Sequence, residues 1–227
     1  MLTPRSYYPY LTSEAEAEFS TPPSQRSYHK AVAAMAHQQT KAIVAFTIGH
    51  STRPIEEFIE LLLSNGVRQL IDIRTIPKSR RNPQFNTDNL AASLHAAGIA
   101  YIHLKALGGL RQPRRDSLNT AWRNAGFRGY ADYMQTPEFE AALDRAIGLA
   151  GREPTALMCA EAVPWRCHRS LVSDALVVRG IEVREIVSSS APNPHALTRF
   201  AQVTGTRITY PRTNNDTQMN LISEHEK

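Results

Sequence analysis

The sequence predicts an α/β fold of three layers, an open and mostly parallel sheet of about five strands covered by helices. Two observations carry that expectation. Between residues 41 and 204, apolar runs of strand length alternate with amphipathic stretches of helix length. The stretches between successive strands are long enough for crossovers, which makes the strands parallel and the connections right-handed.

The elements follow in order. Ile43–Ile48 is a continuous apolar run, as a strand buried on both faces requires. Ile55–Ser64 places Ile55, Phe58, Ile59, Leu62 and Leu63 at helical spacing, with Pro54 suited to the first turn and Asn65-Gly66 as a stop. Leu70–Ile73 is the second strand. Thr87 is positioned to cap a helix over Asp88–Ala97 that ends at Gly98, and Ile99–Leu104 is the third strand. A long irregular stretch then leads to a helix over Pro137–Ala150. Ala156–Cys159, His168–Val178 with Gly180 beyond it, and Val183–Val187 complete the pattern as strand, helix and strand.

The 227 residues are 42% hydrophobic and 21% charged, and 26 Lys+Arg against 21 Asp+Glu give a formal charge of +5. This length suits one domain of roughly 100–200 residues with tails. Residues 41–204 form the expected domain. Residues 1–40, with four prolines and an acidic patch, read as a poorly ordered extension, and residues 205–227 as a polar C-terminal tail. No apolar run approaches the roughly 20 residues of a membrane helix, and no signal-peptide pattern opens the chain, so a cytoplasmic protein without membrane contact is expected. The two cysteines, Cys159 and Cys167, are too few and too close for a secreted disulfide framework and read as reduced thiols.

Ligands of open α/β sheets bind beyond the carboxyl ends of the strands, so the residues that follow each strand are the candidates. The first strand runs into Gly49-His50-Ser51, where glycine would admit close backbone approach to an oxyanion. His50 alone is also compatible with a hydrogen-bonded turn residue. The second strand leads to Asp72 and Arg74, then Lys78, Ser79, Arg80 and Arg81, a cationic loop suited to phosphate or carboxylate. Residues 68–128 hold eleven Lys/Arg against three Asp, a net of +8, which also fits a solvated basic face. Gly108-Gly109 follows the third strand. The fourth leads to Glu161 and to Cys167, His168 and Arg169 at the first turn of a helix, where the helix dipole and neighbouring arginines favour a thiolate.

Cys167 is thus a candidate nucleophile, with His168 or Glu161 for proton transfer. A packing cysteine, a redox pair with Cys159 and a metal site are the other readings. The C-x7-C-H spacing differs from common zinc patterns, so no metal ligands are assigned. The candidate binding residues are Gly49, His50, Ser51, Asp72, Arg74, Ser79, Arg80, Gly108, Gly109 and Arg169.

The segments TIGHST at 47–52, LIDIRTIPKSRRNPQFN at 70–86, GIAYIHLKALGGLR at 98–111, FRGYADYM at 127–134 and CAEAVPWRCHRSLVSDAL at 159–176 closely resemble the family known as domain of unknown function 488. The resemblance spans about residues 43–203 with the motifs in order. It implies a compact α/β domain of bacterial and archaeal cytosolic type and marks the positions above as matching the family pattern. It brings no established activity and no cofactor.

Three functions are therefore carried forward. The first is an enzyme, or a ligand-binding domain, acting on a phosphate-bearing, nucleotide-like small molecule. The second is a nucleic-acid binding or processing module using the basic 68–128 region, in keeping with a pI near 9.4. The third is a thiol redox or metal-responsive protein using Cys159 and Cys167.

Overall fold

A computed structural model describes residues 42–212 of the chain. Its main sheet contains β1 (Val44–Gly49), β2 (Gln69–Asp72), β3 (Ala100–His103), β4 (Thr155–Cys159), β5 (Glu182–Ile186) and β6 (Asn193–Pro194), in the order β3-β2-β4-β1-β5-β6. The first five are parallel, and β6 is a short antiparallel edge strand. The mostly parallel α/β sheet is thus as expected, with β6 added to the five strands read from sequence. β6 has only two residues, one of them Pro194, and so carries no strand pattern.

Alternation along the central strands sends side chains to two separate cores. Ile48, Leu70, Ala156 and Met158 meet Phe58 and Leu62 of α1 (Ile55–Ser64) and Leu90 and Leu94 of α2 (Thr87–Ala96). Ala45, Ile71, Leu157 and Val183 meet the opposite layer, built from α3 (Ala125–Tyr133), α4 (Pro137–Ala150) and α5 (Arg169–Val178). Each leucine or isoleucine fully buried in these layers contributes about 1.5–3 kcal/mol. Cys159 and Cys167 both belong to the second core.

Two features depart from the sequence reading. Within the stretch expected to be irregular, Ala125–Tyr133 is helical, and the Asn124 side chain caps it by accepting from the Gly126 and Phe127 amides. Gly126 and Gly129 hide this helix from a propensity reading. Gly129 is required by packing, since a Cβ there would lie 2.4 Å from the Arg111 carbonyl oxygen. The second departure is the tail expected from residue 205. A hairpin of β7 (Gln202–Thr204) and β8 (Arg207–Thr209) turns through Gly205, and Ile208 and Tyr210 are buried. The ordered fold therefore runs past residue 204. The readings of residues 1–40 and 213–227 lie outside the described residues.

Thr87 does not cap α2 from outside. It is the first helical residue, and its hydroxyl reaches the Pro77 carbonyl. His168 precedes the first residue of α5. Among the described residues no helix is long and apolar enough to cross a membrane.

The connections position the site. From β1 to β3 the chain passes through α1 and α2 on one face, and from β3 to β5 it passes through α3, α4 and α5 on the other. β1 and β4 are neighbours whose onward chains leave to opposite faces, which opens a crevice at their carboxyl ends. Gly49 pairs with Cys159, and Asp72 with Met158, so the residues after three strands emerge at one level.

Candidate active site

The floor of the crevice begins at Gly49. A Cβ there would lie 1.8 Å from the Glu161 carbonyl oxygen, so only glycine lets the loop after β4 cross β1. The amides of His50 and Ser51 donate to the carbonyls of Cys159 and Ala160, at 3.0 and 2.8 Å. Those two amides therefore extend the β1–β4 pairing and are not free for an anion. Ser51 holds a left-handed backbone, with φ of 50°.

Asp72 and Arg74 form a buried pair. The carboxylate accepts from Nε of Arg74 at 2.9 Å, from Nη2 at 2.6 Å, from the Arg74 amide at 3.0 Å and from the Tyr101 hydroxyl at 2.8 Å. Nη2 also donates to the Phe85 carbonyl, and Nη1 to Nε2 of His50 at 3.2 Å. One Nη1–H of Arg74 is left for the crevice that the residue lines. His50 stacks on Phe85 with ring centroids 4.2 Å apart. Burial, reinforced by the adjacent guanidinium, lowers its pKa to about 4. A guanidinium only donates, so Nε2 of His50 is the acceptor and Nδ1 carries the proton, which it donates to the Ser51 carbonyl at 2.8 Å. His50 and Asp72 thus orient Arg74, and the Asp72 carboxylate is fully engaged within the protein.

Beside this pair lies a thiol and imidazole cluster. Cys159 ends β4, Cys167 precedes α5, and His168 sits at the helix start. Nε2 of His168 faces the Ile73 carbonyl at 3.3 Å and donates to it. Nδ1 then presents its lone pair to two sulfurs, 3.8 Å from Cys159 and 3.9 Å from Cys167. The Cys167 pKa is lowered to about 7, first by the Cys159 thiol donating to its sulfur, and further by the Arg169 guanidinium and amide, against the opposing effect of burial. Cys159, as the donor and buried, is pushed up.

Arg169 is only 1% exposed. Its Nη1 and Nη2 donate to the carbonyls of Glu161 and Ala162, at 2.8 and 3.1 Å, while Nε has no hydrogen-bond partner. Its amide points at the Cys167 sulfur from 3.5 Å. Among the described residues no carboxylate pairs with it.

Two contiguous depressions form the crevice, of about 310 and 270 Å3, sharing Arg74, Ile76, Ala160 and Glu161. The sequence-derived candidates divide into three groups. Gly109, His50, Ser51, Arg74, Ser79, Glu161, Cys167 and His168 line the crevice. Asp72, Gly49, Gly108 and Arg169 support it from within. Gly108 is needed because a Cβ would lie 2.5 Å from the Thr75 hydroxyl. Arg80 is exposed and absent from the crevice wall, where Lys78 stands instead.

Lys78 and Arg166, read from sequence only as nearby positive charge, also line the crevice, and Asn82, Ile76 and Leu110 there were missed. Lys78 and Arg166 belong to cationic runs visible in the sequence. Ile76 and Leu110, 62% and 78% exposed, form an apolar rim for which the sequence holds no signal. A separate depression near Asp132 is a poorer candidate, because that carboxylate is already occupied by Ser117, Asn119 and the Arg114 amide.

The family described as Domain of unknown function DUF488 matches residues 54–176, more than half of the chain. The chain belongs to that family. The matched DUF488 span runs from the start of α1 to near the end of α5 and contains Asp72, Arg74, both cysteines and His168, while the Gly49-His50-Ser51 turn lies just outside it. No curated protein and no solved structure matches the chain.

Proposed function

We propose that this DUF488 protein is an enzyme acting on a small phosphate-bearing, nucleotide-like molecule, with Cys167 as its nucleophile. The observation that carries this reading is Arg169. A guanidinium this deeply buried calls for a counter-charge. Its own hydrogen bonds go to the Glu161 and Ala162 carbonyls, its charge lowers the Cys167 pKa, and the Arg169 backbone N–H separately points at the Cys167 sulfur. A thiolate at the first turn of α5 answers both the guanidinium and the helix dipole.

In the proposed step, Cys167 passes its proton to Nδ1 of His168, and the thiolate forms a bond to the electrophilic carbon or phosphorus of the substrate. The bond to the leaving group breaks, and that group takes the electron pair together with the proton from His168. Lys78, Arg166 and the remaining Nη1–H of Arg74 supply positive charge for a phosphate, Ser51 and Ser79 supply hydroxyls, and Ile76 and Leu110 offer apolar surface to a base or sugar ring.

The nucleic-acid reading draws less support. Within the basic 68–128 region Arg74 is buried against Asp72, Arg111 stacks on Tyr133 at 3.6 Å, and Arg114 pairs with Asp116 at 2.7 Å. The charge count thus overstates the cations available to a backbone.

The test is a thermal-shift screen against nucleotides, sugar phosphates and short oligonucleotides at two salt concentrations. A ligand at 100 times its dissociation constant stabilises by about 2.7 kcal/mol. The expected result is a shift from one small phosphate compound that is lost in a Lys78→Ala, Arg166→Ala double variant, with turnover lost in Cys167→Ser. Stabilisation by oligonucleotides alone, fading with salt, would refute the reading.

A further inference from the structure

We infer that Cys159, Cys167 and His168 form a binding site for one thiophilic divalent ion of the zinc type, with its fourth position open to the crevice. The ligand atoms of these three residues all lie within 4.8 Å of one another. Zinc bonds of about 2.3 Å to sulfur and about 2.0–2.1 Å to nitrogen, set at the tetrahedral angle, separate sulfur from nitrogen by roughly 3.6 Å. Nδ1 of His168 already stands 3.8 and 3.9 Å from the two sulfurs. The nitrogen needs to close on each sulfur by a few tenths of an ångström, and the two sulfurs, which lie within 4.8 Å of each other, would draw in to roughly 3.8 Å around the ion.

Three further features suit a metal. The second ring nitrogen of His168 is held by the Ile73 carbonyl, the outer-sphere contact that fixes the tautomer and ring direction of metal-bound histidines. The Arg169 amide meets the Cys167 sulfur and offsets thiolate charge. Gly109 keeps the imidazole lone pair uncovered, since a Cβ there would lie 2.9 Å from Nδ1.

Binding replaces the thiol protons, which pass to solvent, and two thiolates cancel the charge of the ion. Three protein ligands with a fourth direction facing a crevice is the composition of catalytic rather than structural zinc sites. The spacing C-x7-C-H differs from common zinc patterns because the ligands come from a strand end and the start of the following helix, which the sheet brings together.

This inference goes beyond the nucleophile reading, and in the loaded state it excludes it. A sulfur bound to the ion is not free to attack, so metal occupancy would switch the thiol off.

The experiment uses the full chain, reduced and metal-stripped, titrated with Co2+ and then with Zn2+. One equivalent of Co2+ should produce thiolate-to-cobalt charge-transfer absorption, which Zn2+ abolishes by displacement, and one equivalent of Zn2+ should block iodoacetamide labelling of Cys167. Cys159→Ser and His168→Gln should each weaken binding by more than the roughly 10–100-fold that loss of an outer-sphere partner costs. Gly109→Ala retains every ligand and should weaken binding by crowding Nδ1. Absence of the charge-transfer band in the wild type, or its persistence at unchanged affinity in all three variants, would overturn the inference. Failure of metal binding with brisk Cys167 labelling would leave the nucleophile reading standing, whereas metal binding with an inert thiol in the stripped protein would remove that reading and keep the site.

Discussion

Raising the pH from about 6 to about 10 should cost the wild-type protein roughly 3 kcal/mol of stability that a His195→Gln variant does not lose. His195 is buried between two carboxylates, with Nε2 at 2.8 Å from Asp174 and Nδ1 at 2.8 Å from Glu185. Burial pulls its pKa down, but the two carboxylates outweigh burial and hold it at about 9 against an ordinary 6.5. Each tenfold gain in proton affinity is worth about 1.36 kcal/mol, so the rise corresponds to roughly 3 kcal/mol. The folded state binds the proton more tightly than the unfolded chain. The contribution is therefore complete below pH 6.5, falls as the pH rises through the folded-state value, and is gone above about 9.

Asp174 also accepts from the Thr198 amide and the Tyr210 hydroxyl, so the loss would loosen the attachment of the C-terminal hairpin to α5. Urea unfolding of both proteins across this range is the assay. Other groups titrate in the same window, Cys167 among them, so the informative quantity is the difference between wild type and variant. For a domain of this size, about 3 kcal/mol corresponds to roughly 6–12 °C in Tm. A difference that stays constant with pH would mean that His195 is not charged between its two partners, and the reasoning would fail.

Three further outcomes follow from the geometry. Gly49→Ala should lose more than about 3 kcal/mol in denaturant unfolding, because a Cβ meets the Glu161 carbonyl at 1.8 Å and neither backbone segment can withdraw cheaply; an unfolding midpoint equal to wild type would contradict the crossing. Asp72→Ala, which strands the Arg74 guanidinium, should cost about 3–5 kcal/mol, whereas an Asp72→Leu, Arg74→Met double change should cost less than the two single changes combined. A double-mutant cycle without coupling would show that the pair contributes nothing as a unit. Arg169→Met should slow iodoacetamide labelling of Cys167 near neutral pH by at least about tenfold, by removing the charge that favours the thiolate; unchanged labelling kinetics would show that Arg169 acts only on the Glu161–Ala162 loop.

The layered sheet was legible in the sequence because the central strands β1, β2 and β4 are largely buried and mostly apolar, while α1 and α4 repeat their apolar positions at helical spacing. α3 was hidden by two glycines whose reason is tertiary, the close passage of the 111–112 backbone over Gly129. β8 was hidden because Ile208 and Tyr210 are two apolar positions in a polar stretch, and the tyrosine is buried by distant partners, its ring against Trp122 and Phe200 and its hydroxyl on Asp174. At the crevice, residues that follow different strands come together as the strand-end rule expects, Cys167, His168, Glu161 and Arg74 among them. It could not tell which polar groups were already satisfied by one another. Arg74 and Arg169 look alike in the sequence as phosphate-gripping residues, yet one is bound to Asp72 and the other holds two carbonyls of its own loop.

That distribution of partners narrows the chemistry. An arginine that grips a ligand must have several N–H groups facing it, and Arg74 has four of its five directed at Asp72, Phe85 and His50. Asp72 accepts from three residues or backbone groups at once, and His50 is neutral and hydrogen-bonded at both nitrogens. These residues make a rigid wall of fixed dipoles in place of a titrating site. The groups that keep unused capacity are the two thiols and Nδ1 of His168, with Lys78 and Arg166 at the rim. On the proposed reading, these thiol and imidazole groups are the ones left to react, with the cationic rim to orient a substrate. The buried Arg169 guanidinium is held by the Glu161 and Ala162 carbonyls, and its charge adds to the hydrogen bond from Cys159 in lowering the Cys167 pKa.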